Sequence, residues 1–300
     1  MAVPVWLADA IARLAQRGPG VRLAEFESFR DIEAFTSEVV IPTRHGDVAA
    51  TVYATGGVLD GRPVYVNFHG GGFVLRHPEQ DDGLCRYLAA EADVVVLNVD
   101  YDVAPQLRFP GPVEQAFDAA IWAAAPDRPW DGSRLAVGGS SAGGALAAGA
   151  ARLALESGGP AIAMQFLQYP PLDLTVPARS KHREGKERML VPMGPIFDAA
   201  YCPDAARRAE PLISPAGHAD TAPLDGIAPA LVVTAERDIL REEAVRYAER
   251  LAAAGALIEH IDVPGVGHGY NILGSPPTVV AEQYARIAGH MRKALAPARD

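Results

Sequence analysis

The chain predicts an α/β domain in which helices cover both faces of a mostly parallel sheet. Two observations carry this. Short, continuously apolar runs recur along most of the sequence, and alanine-rich helical stretches separate the later ones. With 300 residues and 49% hydrophobic content, the chain can bury a large core. The formal net charge is −10, with acids and bases intermixed. That balance argues against nucleic acid or an anionic membrane surface as the main partner.

The strand-like runs are "VVIP" at 39–42, "VAATVYA" at 48–54, "PVYVNFH" at 63–69 and "VVVLNV" at 94–99. They continue with "RLAVGG" at 134–139, "AIAMQFLQY" at 161–169, "ALVVTAE" at 230–236 and "LIEHIDV" at 257–263. No helix separates the first two, which predicts an antiparallel edge pair. Helical stretches are expected at 82–91, 113–124, 142–156, 241–254 and 278–295. Leu7, Ile11 and Leu14 fall at helical spacing, so the N-terminal segment reads as an amphipathic helix. It has no basic leader, and no apolar run is long enough to span a bilayer, so the expected location is cytoplasmic. Between Asp173 and Ala228 no clear strand occurs, while prolines and charges are frequent. An excursion of that length is expected to act as a lid or binding element. Cys85 and Cys202 are too few for a disulfide framework and read as two buried free thiols.

"GGSSAGG" at 138–144 contains Gly-x-Ser-x-Gly centred on Ser141. Taken alone the pattern is weak. Its setting strengthens it, because a strand precedes the serine and a helix follows at once. A serine at the apex of such a turn is strained and projects above the sheet. Side chains on either flank would meet the neighbouring strand and helix, which accounts for the glycines. Ser140, one position off the apex, is assigned a supporting role.

A serine hydroxyl needs a base, and the base needs an orienting acid. Both are expected in loops just after parallel strands, in the chain order serine, acid, histidine. Asp238 follows one strand, with Glu236 as the rival acid and a helix N-cap as its plain alternative role. His268 follows the last strand in a glycine-flanked loop, whereas His260 sits inside the strand pattern. His45, His77, His182 and His290 have no comparable context, and His218 could at most line a pocket. "HGGGF" at 69–73 places Gly70, Gly71 and Gly72 after another strand, where bare amides can approach an oxyanion. His69 is expected to hold that loop through hydrogen bonds. A phosphate loop is disfavoured, since neither a Lys-Ser/Thr pair nor a GxGxxG spacing is present.

Together, "HGGGF", "YDVAPQLRFPGPVEQ" at 101–115, "GGSSAGG", "QYPPLDL" at 168–174, "ERDILREEAVRYAERLAAAG" at 236–255 and "GVGHGY" at 265–270 resemble one family. It is the hormone-sensitive-lipase-like (family IV) carboxylesterases of the α/β-hydrolase fold. The resemblance covers roughly residues 39–300. It implies a catalytic domain over 39–300 with a sheet of about eight strands. It implies a helical cap made from 1–38 and an insertion at about 175–225. A Ser–Asp–His triad transfers to Ser141, Asp238 and His268. The oxyanion donors would be the amides of Gly71, Gly72 and Ala142. Three positions depart from the family pattern: Ser140, Asp102 and Gln106. They are read here as one hydrogen-bonded network, rewired as a unit.

The expected activity is hydrolysis of short- to medium-chain carboxylic esters through a covalent acyl-enzyme. Deacetylase, amidase or acyltransferase chemistry on a specialised metabolite is the alternative, followed by non-catalytic ligand binding on the same fold. No metal or organic cofactor is expected, because neither an HExxH helix nor a paired-cysteine cluster occurs. The expected partner is a small-molecule ester, with a homodimer open. Trp6, Phe26, Phe29, Phe35, Met189, Met193 and Phe197 either close an apolar acyl pocket or pack cap against core.

Overall fold

The structure is a computed structural model that describes residues 3–17, 29–181, 185–186 and 190–297. Its strands are β1 (Phe35–Thr43), β2 (Gly46–Ala54), β3 (Pro63–Phe68), β4 (Val95–Asp100), β5 (Asp131–Ser140), β6 (Ile162–Gln168), β7 (Ala230–Ala235) and β8 (Leu257–Val263). They form one sheet in the order β1-β2-β4-β3-β5-β6-β7-β8. The first two strands pair antiparallel, as does β2 with β4, and every other pairing is parallel. Side chains alternate between faces along each strand. Val64, Val66 and Phe68 therefore enter one core cluster and Tyr65 the other.

The first cluster is closed by α3 (Gly111–Ala124), α4 (Ala142–Ser157) and α7 (Arg241–Ala253). The second is closed by α2 (Asp82–Glu91) and α8 (Pro277–Ala294). Helices thus lie on both faces, as the continuous apolar strands require. The alanine and glycine content of α4 reflects close packing. A Cβ on Gly149 would stand 2.6 Å from Val113 Cγ1 of α3. Cys85 and Cys202 are both buried and free.

An N-terminal helix, α1 (Val5–Ala15), packs against α6 (Leu190–Tyr201) in the long excursion. The excursion also holds the short helix α5 (Ala178–Lys181) and, among the described residues, no strand. Sequence periodicity gave no sign of α6, because Pro192, Gly194 and Pro195 all argue against a helix. Pro192 falls in the first turn, where a missing N–H costs nothing, so only Pro195 gives up an interior hydrogen bond. Among the described residues, no helix is long and apolar enough to cross a membrane.

Candidate active site

Parallel strands bring their carboxyl ends to one edge of the sheet, and the chain reverses there in loops. Between β5 and α4 the reversal takes a single residue. Ser141 adopts φ 52° and ψ −118°, a backbone conformation that L residues rarely occupy. The neighbouring glycines are there for steric reasons. A Cβ on Gly139 would lie 2.1 Å from the Phe68 carbonyl oxygen, and one on Gly143 only 1.7 Å from it. The end of β3 therefore presses directly on the turn, and nothing larger than hydrogen fits.

His268, in the loop after β8, meets this serine. Its Nδ1 lies 2.7 Å from Asp238 Oδ2 and its Nε2 lies 2.9 Å from Ser141 Oγ. A carboxylate can only accept, so Nδ1 carries the proton and Nε2 accepts from the hydroxyl. Asp238 is buried rather than at the loop surface. Its two oxygens do different work: Oδ1 accepts from the Leu240 amide at 2.9 Å, while Oδ2 holds the imidazole. Asp238 is therefore not the N-cap of α7, which is Leu240; one oxygen holds the turn before the helix and the other the histidine. Backbone bonds tie the two loops together, with the Glu236 amide on Val263 O and the Arg237 amide on Val266 O. The rival acid Glu236 points elsewhere and accepts from the Gly265 amide at 2.6 Å.

The glycine loop after β3 faces the same serine. A Cβ on Gly70 would lie 3.5 Å from Ser141 Cβ. Gly71 and Gly72 have φ 122° and 61°, which glycine alone adopts without strain. The amides of Gly71, Gly72 and Ala142 make no hydrogen bond within the protein among the described residues. His69 is fully buried, donates through Nδ1 to Gly70 O at 2.7 Å and stacks on Tyr101. Burial pushes its pKa down to about 4, so the ring stays neutral and holds the loop.

These residues open into a cavity of about 380 Å³. Met193 and Phe197 of α6 line it. Trp6 and Phe35 stand exposed and Phe29 packs on Tyr87 and Tyr284, and none of the three lines the pocket. Phe26, Met189 and His182 lie outside the described residues. His260 bonds Thr234, His45 meets Glu114, His290 meets Glu259, and His218 is exposed away from the cavity. His77, to which the sequence gives no site context, does line the cavity, because the loop that follows the glycines runs beside the serine. Sequence reasoning also missed Tyr169, whose ring meets His268 edge-on at 4.8 Å. Its position directly after a central parallel strand was the available signal.

The three departures from the family pattern do not form one network. Ser140 Oγ donates to Gln168 Oε1 at 3.1 Å, beneath the turn. Asp102 is held by Gln115, and Gln106 exchanges hydrogen bonds with Gln16 just beyond α1. Each has its own partner, Gln168, Gln115 and Gln16, and no hydrogen bond joins one pair to another among the described residues. Ser140→Asp should still cost about 1–3 kcal/mol of stability, read as a lower urea midpoint. The cause is local: a buried carboxylate would face the Gln168 carbonyl oxygen.

Behind the glycine loop lies a second buried carboxyl. Asp81 accepts from Asn67 Nδ2 at 3.0 Å, while its Oδ1 has no partner among the described residues. Burial pushes its pKa up to about 7, against the smaller opposing effect of Asn67. The folded state therefore holds this proton when the unfolded chain, titrating near 3.8, has lost it. Stability present below the lower value is lost as pH rises to about 7. Asp81→Asn should remove that loss. Relative to the parent, its unfolding free energy should gain about 2–4 kcal/mol between pH values of about 4 and 8.

Residues 65–272 match the family model for the α/β-hydrolase fold. Carboxylesterase NlhH of Mycobacterium tuberculosis is 33% identical over 255 residues, covering 83% of this chain and 79% of its own. The solved structure of EstE1, a thermostable carboxylesterase from a metagenomic library, has a TM-score of 0.83 at 30% identity, covering 97% of this chain and 98% of its own. The chain belongs to the hormone-sensitive-lipase-like carboxylesterases of the α/β-hydrolase fold. An esterase from Pyrobaculum calidifontis gives the same picture, with a TM-score of 0.81, 31% identity, and coverage of 97% and 93%. The protein is accordingly a carboxylic ester hydrolase.

Proposed function

We propose that this esterase hydrolyses short- to medium-chain carboxylic esters by two-step acyl transfer at Ser141. His268 takes the serine proton as the hydroxyl attacks the ester carbonyl. Asp238 keeps the imidazole in the correct tautomer and stabilises its cation. The amides of Gly71, Gly72 and Ala142 receive the developing oxyanion. His268 then protonates the departing alcohol, and water hydrolyses the acyl-enzyme by the same route in reverse order. Segments 1–38 and about 175–225 act as the cap. The observation that carries this reading is the unbroken Ser141–His268–Asp238 relay beside three amides with no internal acceptor.

The chain-length preference rests on the size and lining of the cavity, which is bounded by Leu174, Leu240, Met193 and Phe197. A series of p-nitrophenyl esters tests it, with Ser141→Ala as blank. kcat/KM should be highest among acetate to octanoate and fall for palmitate. A maximum at palmitate would overturn the preference.

A further inference from the structure

The cavity is apolar over most of its wall, and among the described residues two charged side chains line it: Lys181, whose charge is taken up by Glu243, and the carboxylate of Asp198. Asp198 lines it from α6, on the helix face that also presents Met193, Gly194 and Phe197. Its carboxylate has no hydrogen bond and no ion pair among the described residues. The nearby cations are occupied elsewhere. Lys181 Nζ meets Glu243 Oε2 at 2.5 Å and donates to Asp173 O at 2.7 Å. Arg208 donates to the backbone carbonyls of Cys202 and Asp198, not to the carboxylate.

Asp198 is half-buried, and a carboxylate without a protein partner on a mostly apolar wall is poorly compensated. Burial pushes its pKa up to about 6, against the smaller pull of Lys181 and Arg208, so the protein leaves the charge undercompensated. A ligand can supply what the protein does not. From this geometry we infer that Asp198 forms a subsite for a cationic ammonium substituent on the ester, in the same cavity as Ser141. The apolar wall, with Met193 and Phe197 beside the carboxylate, suits the carbon skeleton that carries the charge. The substrates singled out are esters whose acyl or alcohol arm ends in an ammonium group.

The inference rests on the ester-hydrolase reading of this cavity, which Ser141→Ala tests separately with p-nitrophenyl acetate. The experiment for Asp198 compares isosteric pairs that differ only in charge. Acetylcholine against neohexyl acetate probes the alcohol arm. Glycine betaine ethyl ester against ethyl tert-butylacetate probes the acyl arm. In at least one pair, the charged-to-neutral ratio of kcat/KM should fall about 10–100-fold in Asp198→Asn, and Asp198→Glu should restore part of it. Unchanged ratios in both pairs would overturn the inference while leaving the esterase reading intact. The unmodified protein gives a check that needs no variant. Butyltrimethylammonium should inhibit p-nitrophenyl acetate hydrolysis competitively at lower concentration than hexanoate does. The reverse order would also overturn it.

Discussion

Ser141→Ala should lower kcat on p-nitrophenyl butyrate by about 10⁴-fold or more. The expectation follows from what the hydroxyl touches. Its hydrogen bond runs to His268 Nε2 at 2.9 Å, and removing it removes the nucleophile. The backbone role of the residue is untouched. Its amide still donates to Gln168 O at 2.8 Å, and its carbonyl still accepts from Ala145 at the start of α4. Alanine and serine bear the φ of 52° about equally badly, so the urea midpoint should stay near that of the parent. Labelling by a fluorophosphonate should disappear along with turnover. Retention of both in the variant would place the nucleophile elsewhere.

Much of this site is legible before any coordinates, and the reason is physical. Parallel strands buried on both faces must be continuously apolar, so central strands such as β4 and β7 announce themselves as runs like "VVVLNV" and "ALVVTA". Their carboxyl ends are then known, and reactive residues just beyond them converge because the strands are parallel. Ser141, Asp238 and His268 each lie just beyond such a strand. What stays hidden is whatever depends on contacts between distant segments. Helix α6 carries two prolines and gains its place by packing on α1, so local propensity points away from it. Asp198 reads as one polar residue in an apolar stretch until α6 is laid over the cavity. Asp81 sits in the polar stretch "PEQDD", yet it is buried, with Asn67 donating to it from β3 while Asn98 donates to the neighbouring Pro78 carbonyl. The same limit explains why Ser140, Asp102 and Gln106 looked connected. Gln115 and Gln168 stand in the same family motifs and Gln16 near the N-terminus, but which of them each departing residue meets is set by tertiary packing, not by the motif.

Asp238→Asn isolates electrostatics and tautomer from shape, and it should cost about 10⁴-fold in kcat. The asparagine side chain has nearly the same outline, but only one of its two polar ends accepts. The Leu240 amide at 2.9 Å from Oδ1 requires an acceptor, and so does the Nδ1–H of His268 at 2.7 Å from Oδ2. If the amide oxygen serves Leu240, its NH₂ faces Nδ1 and drives the ring proton to Nε2. That nitrogen then presents a donor to Ser141 and cannot take the serine proton. In the opposite orientation, the NH₂ confronts the Leu240 N–H, and the loop that positions the side chain is pushed apart. Either orientation leaves the developing imidazolium without a negative partner in a buried setting. The two outcomes differ in stability, since only the second breaks the turn that leads into α7. A large fall in kcat with little change in urea midpoint would identify the tautomer as the cause. Near-parental kcat would show that the carboxylate of Asp238 neither orients the histidine nor stabilises its charge.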